Sequence, residues 1–388
     1  MVDPFTGEQL DDGLLLWFPG PYSATGEDVA EFHLHGSRAV LAAVMGVLGR
    51  LGLRLAEPGE FTRRAFLNGK VDLLQAEAIA DLAAAETEAQ RRQALRQLDG
   101  ELGSLYRGWC HLLTHILAHL EAAIDFPDED LPPEIEERGL GEIEALSSEI
   151  ERHLADGHRG ERLRDGIMVA IIGPPNAGKS SLLNKIAQRD AAITSPVAGT
   201  TRDIVEVAVD LAGYPVVLAD TAGLRDSDDL VEQEGLRRAL RRADEAEIRL
   251  FVFDARCPNE MRGASAWQGP DTILVANKID LVPARCDLQS STLPISALTG
   301  EGIDALLSAL GERVAQTYRI EAPVLTRARH RQALEEAALS LQRAVGAALP
   351  ELRAEDIRLA LRSLGRITGA VDVEDLLDVI FRDFCIGK

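Results

Sequence analysis

The densest chemistry in the chain lies in Gly173-Pro174-Pro175-Asn176-Ala177-Gly178-Lys179-Ser180. The pattern G-x-x-x-x-G-K-[ST] builds a loop whose backbone N–H groups surround phosphate oxygens. Gly173 and Gly178 permit the tight turn. The helix that follows brings the partial positive charge of its N-terminus. Lys179 is expected at the β- and γ-phosphates and Ser180 on Mg²⁺. The apolar run 167–172 before the loop reads as a buried strand, and Ser181 to Ala187 reads as the opening of a helix, which is the context the motif requires.

Three motifs follow in order. Asp220-Thr221-Ala222-Gly223 comes after the apolar run 216–219, where a carboxylate can hold Mg²⁺ through water and the Gly223 N–H can meet a γ-phosphate. Asn277-Lys278-Ile279-Asp280 follows the run 272–276. A carboxylate at Asp280 accepts from guanine N1–H and N2–H₂, a donor pair that adenine lacks. Ser296-Ala297-Leu298 offers a backbone N–H to guanine O6. Each tetrapeptide alone is a weak signal; the four in sequence specify GTP. Between the first two lies Gly199-Thr200-Thr201-Arg202-Asp203, a switch segment whose Thr201 is assigned to Mg²⁺ in the triphosphate state. Leu224 stands where many GTPases carry a water-orienting glutamine, and leucine cannot orient water. No arginine finger is evident, with Arg202 and Arg225 left open. Glu232 is a candidate for holding water, although on its residues alone it reads more readily as a helix-start carboxylate. His33 and His35, two apart on one strand, read as packing or surface histidines rather than metal ligands.

The surrounding elements divide the chain. Residues 1–68 read as a small α+β unit with strands at 14–18, 29–34 and 53–56 and a helix at 39–51. Residues 69–164 read as helical: 71–98, an interruption at Gly100 and Gly103, 105–124, an acidic loop at 125–133, then 135–154. From 165 to 320, strands at 167–172, 204–210, 216–219, 248–254, 272–277 and 293–295 alternate with helices starting near Ser180, Val231 and Ile303. Residues 321–388 return to helix, ending in 374–384. The α/β unit therefore interrupts two helical blocks that are expected to pack as one discontinuous domain.

A length of 388 residues with 46% hydrophobic content implies a globular chain of two or three domains. No apolar run reaches the ~18–20 residues of a membrane span, and no signal peptide is evident. Cys110, Cys257, Cys286 and Cys385 lack C-x-x-C spacing, which argues against a zinc site or disulfide framework. A net charge of −22 repels nucleic acid at long range, so contact with it requires a local patch or a partner.

Taken with Asn176, Pro58-Gly59-Glu60-Phe61 leading to Ala65-Phe66-Leu67-Asn68, and the terminal Cys385-Ile386-Gly387-Lys388, these motifs resemble the tRNA-modification GTPase family MnmE (also TrmE) over nearly the whole chain. Ribosome-assembly GTPases share the nucleotide motifs but not these features. The resemblance implies a multidomain α+β and α/β fold. A Ras-like P-loop domain with a mixed, mostly parallel sheet (165–320) would be inserted into a helical domain (69–164 and 321–388). A small tetrahydrofolate-binding-type domain (1–68) would precede it. The family normally begins with an extra strand-bearing segment that this sequence does not contain.

The resemblance further implies a potassium-activated GTPase of the cytoplasm, a homodimer that works with the FAD-carrying flavoprotein MnmG in a heterotetramer. The pair adds a carboxymethylaminomethyl or aminomethyl group to C5 of wobble uridine in certain tRNAs, with tRNA held mainly by the partner and no membrane involved. The one-carbon unit comes from a 5-formyl- or methylene-tetrahydrofolate. GTP contacts are expected from Asn176, Ala177, Gly178, Lys179, Ser180 and Ser181, from Ser195, Pro196, Val197, Ala198, Gly199, Thr200 and Thr201, from Asp220, Thr221, Ala222 and Gly223, and from Asn277, Lys278, Asp280, Ser296, Ala297 and Leu298. Mg²⁺ falls to Ser180 and Thr201. K⁺ falls to Asn176, Ser195, Val197 and Thr200, standing where an arginine finger would. Glu232 matches the catalytic glutamate, Cys385 takes part in modification, and Glu31, Lys70 and Lys388 line the folate pocket. The alternatives are a GTP-gated RNA or ribosome-assembly GTPase, and a dimeric scaffold.

Overall fold

Apolar strands flanked by amphipathic helices fix the larger sheet. The computed structural model describes residues 1–125, 133–156, 158–188, 206–220, 246–267, 271–282, 291–319 and 323–371, with Leu377, Ile380, Phe381 and Phe384. These form two compact units, one of residues 1–83, 94–154 and 329–388, the other of residues 84–93 and 155–328.

The first unit opens with a two-stranded antiparallel sheet, β1 (Leu14–Phe18) on β2 (Val29–His33), in the register Leu14↔His33 to Phe18↔Val29. The helix Arg38–Arg50 follows, its N-terminus capped by the Ser37 hydroxyl accepting from Val40 N–H. The expected strand at 53–56 does not form. Leu53 and Leu55 are exposed with no strand beside them. Instead Arg54 donates both guanidinium arms to Glu60, and Glu60 also accepts from Glu57 N–H, holding this stretch as a loop at the head of the unanticipated helix Glu60–Leu67.

The run 71–98 is two helices, Leu73–Ala84 and Glu88–Leu98. Each starts at a reciprocal cap that the sequence spells. Asp72 Oδ1 accepts from Gln75 N–H while Gln75 Oε1 accepts from Asp72 N–H. Thr87 and Gln90 repeat the arrangement. Gly100, at φ +84, separates the second from Glu101–Asp125, whereas Gly103 lies inside that helix, where a Cβ would come within 2.9 Å of Asp72 Oδ2.

Pro350–Thr368 and Pro133–Leu154 pack on Glu101–Asp125, and Ala328–Gly346 is tied to them through Gln342–Glu151 and Arg343–Asp356, with Tyr106, Leu113, Ile143, Ile150, Leu334, Leu341, Ile357 and Leu364 buried. The fully buried Glu77 joins the two helical blocks across 252 residues of sequence. It accepts from both arms of Arg329 at 2.6 and 2.7 Å and lies 2.9 Å from His330 Nε2. Burial pushes its carboxyl up, but His330 and Arg329 outweigh that and hold it well below the ordinary carboxylate range. Near the C-terminus, Leu377, Phe381 and Phe384 bury against Leu73 and Ala76. Gly59, at φ +67, lets the chain pass there, since a Cβ would sit 2.9 Å from Phe381 Cδ1 and 3.0 Å from Phe384 Cβ.

The second unit is a six-stranded sheet in the order β4-β5-β3-β6-β7-β8. Its strands are β3 (Ile167–Ile172), β4 (Glu206–Leu211), β5 (Tyr214–Asp220), β6 (Ile248–Asp254), β7 (Thr272–Asn277) and β8 (Thr292–Pro294). β4 is antiparallel to β5 at one edge, and the other five strands run parallel. Both faces of β3 are covered, which is why its sequence is a continuous apolar run rather than an alternation. Ile167, Val169 and Ile171 face the helices Lys179–Ala187 and Ile303–Thr317. Ala170 and Ile172 face the opposite cluster with Phe251, Phe253 and Ala264, the last from the 3-10 segment Pro258–Trp267. A short helix, Arg159–Asp165, leads into β3.

Candidate active site

Strand order reverses at β3, whose neighbours are β5 and β6. In an open α/β sheet, ligands bind at such a point, beyond the carboxyl ends of the strands. The four described strand ends there carry the chemistry: Gly173 follows β3, and β5, β6 and β7 end in Asp220, Asp254 and Asn277.

The loop 173–178 is shaped by close approach. Gly173 is at φ +140, and a Cβ there would meet Val252 carbonyl oxygen at 2.0 Å; Gly178 is at φ +95, and a Cβ would meet Asn277 Nδ2 at 2.2 Å. Asn176 also takes a positive φ, +60. The helix Lys179–Ala187 begins directly after Gly178 and aims its first N–H groups into the loop. Lys179 is 6% exposed, and its Nζ donates to Gly173 and Pro174 carbonyls at 2.8 Å each. Burial pushes its ammonium down and the Asp220 charge opposes that. Ser180 Oγ donates to Asp220 Oδ2 at 2.5 Å. This hydroxyl and carboxylate form a hard-oxygen donor pair at the helix N-terminus, which fits Mg²⁺ rather than a softer ion. Ser181 lies on the exposed side of the helix.

Asn277 ties three loops together. Only 1% exposed, it donates Nδ2–H to Ala177 carbonyl at 2.8 Å, while its Oδ1 accepts from Lys278 N–H at 2.8 Å and Ala297 N–H at 2.9 Å. Lys278 Nζ bridges Asn176 carbonyl at 2.6 Å and Asp254 Oδ2 at 2.9 Å. The buried Ser296 hydroxyl donates to Asp280 Oδ1 at 2.5 Å, fixing one carboxylate oxygen. Leu298 is exposed beside it. The first, third and fourth sequence motifs thus form one bonded cluster, and Asp220 is joined to the first through Ser180.

Sequence reasoning passed over Asp254. Arg256 donates Nε–H and Nη2–H to it, and with Lys278 holds its carboxyl far below the ordinary range. The available signal was an aspartate closing a buried apolar strand in register with Asn277.

Among the folate candidates, Glu31 lies in β2 with His33 Nε2 3.4 Å away, and the stem of Lys70 lies beside Gly26. No hydrogen bond or ion pair joins Glu31 to Lys70. Ser195, Pro196, Val197, Ala198, Gly199, Thr200, Thr201, Arg202, Thr221, Ala222, Gly223, Leu224, Arg225, Glu232, Cys385 and Lys388 lie outside the described residues. No described helix is long and apolar enough to cross a membrane.

Comparison with known proteins extends this picture. The family described as "MnmE helical domain" matches residues 73–385, and that described as "GTP-binding protein TrmE N-terminus" matches residues 1–70. A protein named tRNA modification GTPase MnmE from Rhodospirillum rubrum is 59% identical, with 98% of this chain and 85% of that one covered. Proteins of the same name from Parvibaculum lavamentivorans and Paramagnetospirillum magneticum are each 57% identical, with 100% and 98% of this chain and 89% and 88% of theirs covered. Among solved structures, a chain described as Era in complex with MgGDPNP and 16S ribosomal RNA nucleotides is 26% identical, with 47% of this chain and 69% of that chain covered, at a TM-score of 0.32. A helical region interrupted by a phosphate-loop unit, a guanine-type motif bonded to that loop through Asn277, and identity above half over nearly the full length agree: the chain belongs to the MnmE family of tRNA modification GTPases.

Proposed function

We propose that this protein hydrolyses GTP to GDP and phosphate as the switch of a tRNA-modifying pair, acting with the flavoprotein MnmG to build a carboxymethylaminomethyl or aminomethyl group on C5 of wobble uridine. The observation that carries the nucleotide choice is the Ser296–Asp280 contact beside the Asn277 cluster. One Asp280 oxygen is fixed by Ser296, which orients the carboxylate as a double acceptor for guanine. Adenine would leave that charge unpaired, a cost that selects against ATP.

Lys179 and the N–H groups of 176–181 receive the phosphates, and Ser180 with Asp220 and Thr201 would hold Mg²⁺, which neutralises charge on the phosphates. Asn176, Ser195, Val197 and Thr200 would hold K⁺ beside the same oxygens. Glu232 orients the attacking water. Residues 1–68, 69–164, 165–320 and 321–388 are taken as the N-terminal, first helical, GTPase and second helical segments, in a cytoplasmic homodimer that reaches tRNA mainly through its flavoprotein partner. Cys385 belongs to the modification step. Glu31, Lys70 and Lys388 are assigned to a tetrahydrofolate, and no step is derived through it.

The test is GTP turnover in KCl against NaCl, with and without the flavoprotein. Faster turnover in K⁺, lost in Asn176→Ala, supports the reading. Equal rates in both salts refute the K⁺ site, and ATP turned over as fast as GTP refutes the guanine assignment.

A further inference from the structure

The helix Glu101–Asp125 carries a second pattern that nucleotide chemistry does not use. His111, His115 and His119 recur every four residues and all three are exposed, while Leu113, Ile116 and Leu120 of the same helix are buried. Side chains four apart on a helix are neighbours. The His111 and His115 rings converge to 4.6 Å between centroids with their planes inclined at 58°.

That separation suits chelation. With a metal–nitrogen bond of about 2.1 Å and the ring centre about 1.1 Å beyond the nitrogen, two cis imidazoles at about 90–110° place their centroids about 4.5–5.2 Å apart. Paired histidines at i and i+4 are the spacing by which a helix presents two nitrogens to one ion. Nitrogen donors select borderline ions such as Zn²⁺, Ni²⁺ and Cu²⁺ over Mg²⁺ and Ca²⁺. Cys110 is not a natural third ligand, because it is half-buried and burial raises its thiol, so the thiolate that binds metal is disfavoured. Among the described residues no group of three or more His, Cys, Asp or Glu is placed to hold a metal.

We propose that His111 and His115 form a two-imidazole clamp for a divalent transition-metal ion of the Zn²⁺, Ni²⁺ or Cu²⁺ class, its remaining coordination positions open to solvent. Bound across one turn, the ion staples the middle of the longest described helix and stabilises the folded chain by an amount that grows with the logarithm of free metal above its dissociation constant.

Full-length, tag-free protein stripped of metal is titrated with Ni²⁺ by calorimetry in buffer containing Mg²⁺. Wild type, His111→Ala, His115→Ala and, as a control at an exposed histidine elsewhere in the chain, His35→Ala are compared. Loss of a ligand costs at least the about 10–100-fold in affinity that loss of an outer-shell partner costs. Binding is therefore expected to weaken by at least that factor in His111→Ala and His115→Ala and to persist in His35→Ala. Both imidazoles are exposed, so melting without metal stays as in wild type, and only the metal-dependent rise in Tm disappears. Cu²⁺-loaded wild type shows nitrogen couplings from two imidazoles by electron paramagnetic resonance, and His115→Ala shows one. Equal Ni²⁺ affinity in wild type and His115→Ala, or loss in His35→Ala instead, overturns the proposal.

Discussion

Replacing Asn277 by alanine removes three hydrogen bonds at once, to Ala177 carbonyl and from the Lys278 and Ala297 amides. At about 1 kcal/mol net for each bond, the loss is about 3 kcal/mol, and stranding buried partners takes it to about 3–5 kcal/mol. The effect is local to the three loops, so hydrogen exchange is the suitable readout. Amides in peptides covering 173–182 and 292–302 are expected to exchange on the order of 100-fold faster or more, as about 1.4 kcal/mol corresponds to a factor of ten.

Gly178→Ala supplies the control. Its φ of +95 costs an alanine about 1 kcal/mol wherever it stands. Its added Cβ, however, strikes Asn277 Nδ2 at 2.2 Å only while that amide is present. In the Asn277→Ala background the penalty of Gly178→Ala should therefore shrink to the backbone part. Strict additivity of the two changes, or exchange in Asn277→Ala within a factor of three of wild type, would refute the claim that this one side chain binds the loops together.

Asp280→Asn is expected to weaken GTP binding by about 2–4 kcal/mol by calorimetry, with partial rescue by xanthosine triphosphate, because one charged acceptor becomes a donor. The folded carboxyl of Glu77 is held well below the ordinary glutamate value of about 4.3, so its stabilisation is present above that pH and drains away as pH falls toward the folded value. Glu77→Gln should flatten this acid limb of the melting profile and cost about 3–5 kcal/mol at neutral pH, since Arg329 and His330 lose their buried counter-charge. Gly59→Ala forces a side chain onto Phe381 and Phe384. Limited proteolysis should then cut beyond residue 368 while GTP turnover stays near wild type, and a tail as protected as in wild type would contradict the packing.

The phosphate loop, Asp220, Asn277, Asp280 and Ser296 were legible because each combines a fixed spacing with a strand just before it. The parallel strands were equally legible, since burial on both faces leaves an unbroken apolar run such as 167–172. Leu53 and Leu55 misled because alternation implies a strand only where a neighbour supplies hydrogen bonds, and the Arg54–Glu60 pair captured that stretch first. The break between Leu73–Ala84 and Glu88–Leu98 was written in Thr87-x-x-Gln90 but hidden by strong helix formers on both sides. Asp254 was missed because its partners, Arg256 and Lys278, form no recognised spacing; the fold alone brings Lys278 to it. The Asn277 cluster was readable as residues but not as bonds, since its partners lie 100 residues before it and 20 after.

The contact between Glu77 and the Arg329–His330 pair also sets an order of events during synthesis. The carboxylate is made 252 residues before its guanidinium. At about 5–20 residues per second, a ribosome takes about 13–50 s to cross that interval. Through that time the interior around Glu77 cannot close without sealing in an uncompensated charge. Within that interval, the strands and helices of residues 167–318 carry their own buried clusters, which include no residue from 329 onward. The inserted unit therefore matures first on the nascent chain, and the older, N-terminal half waits for the last sixty residues to arrive.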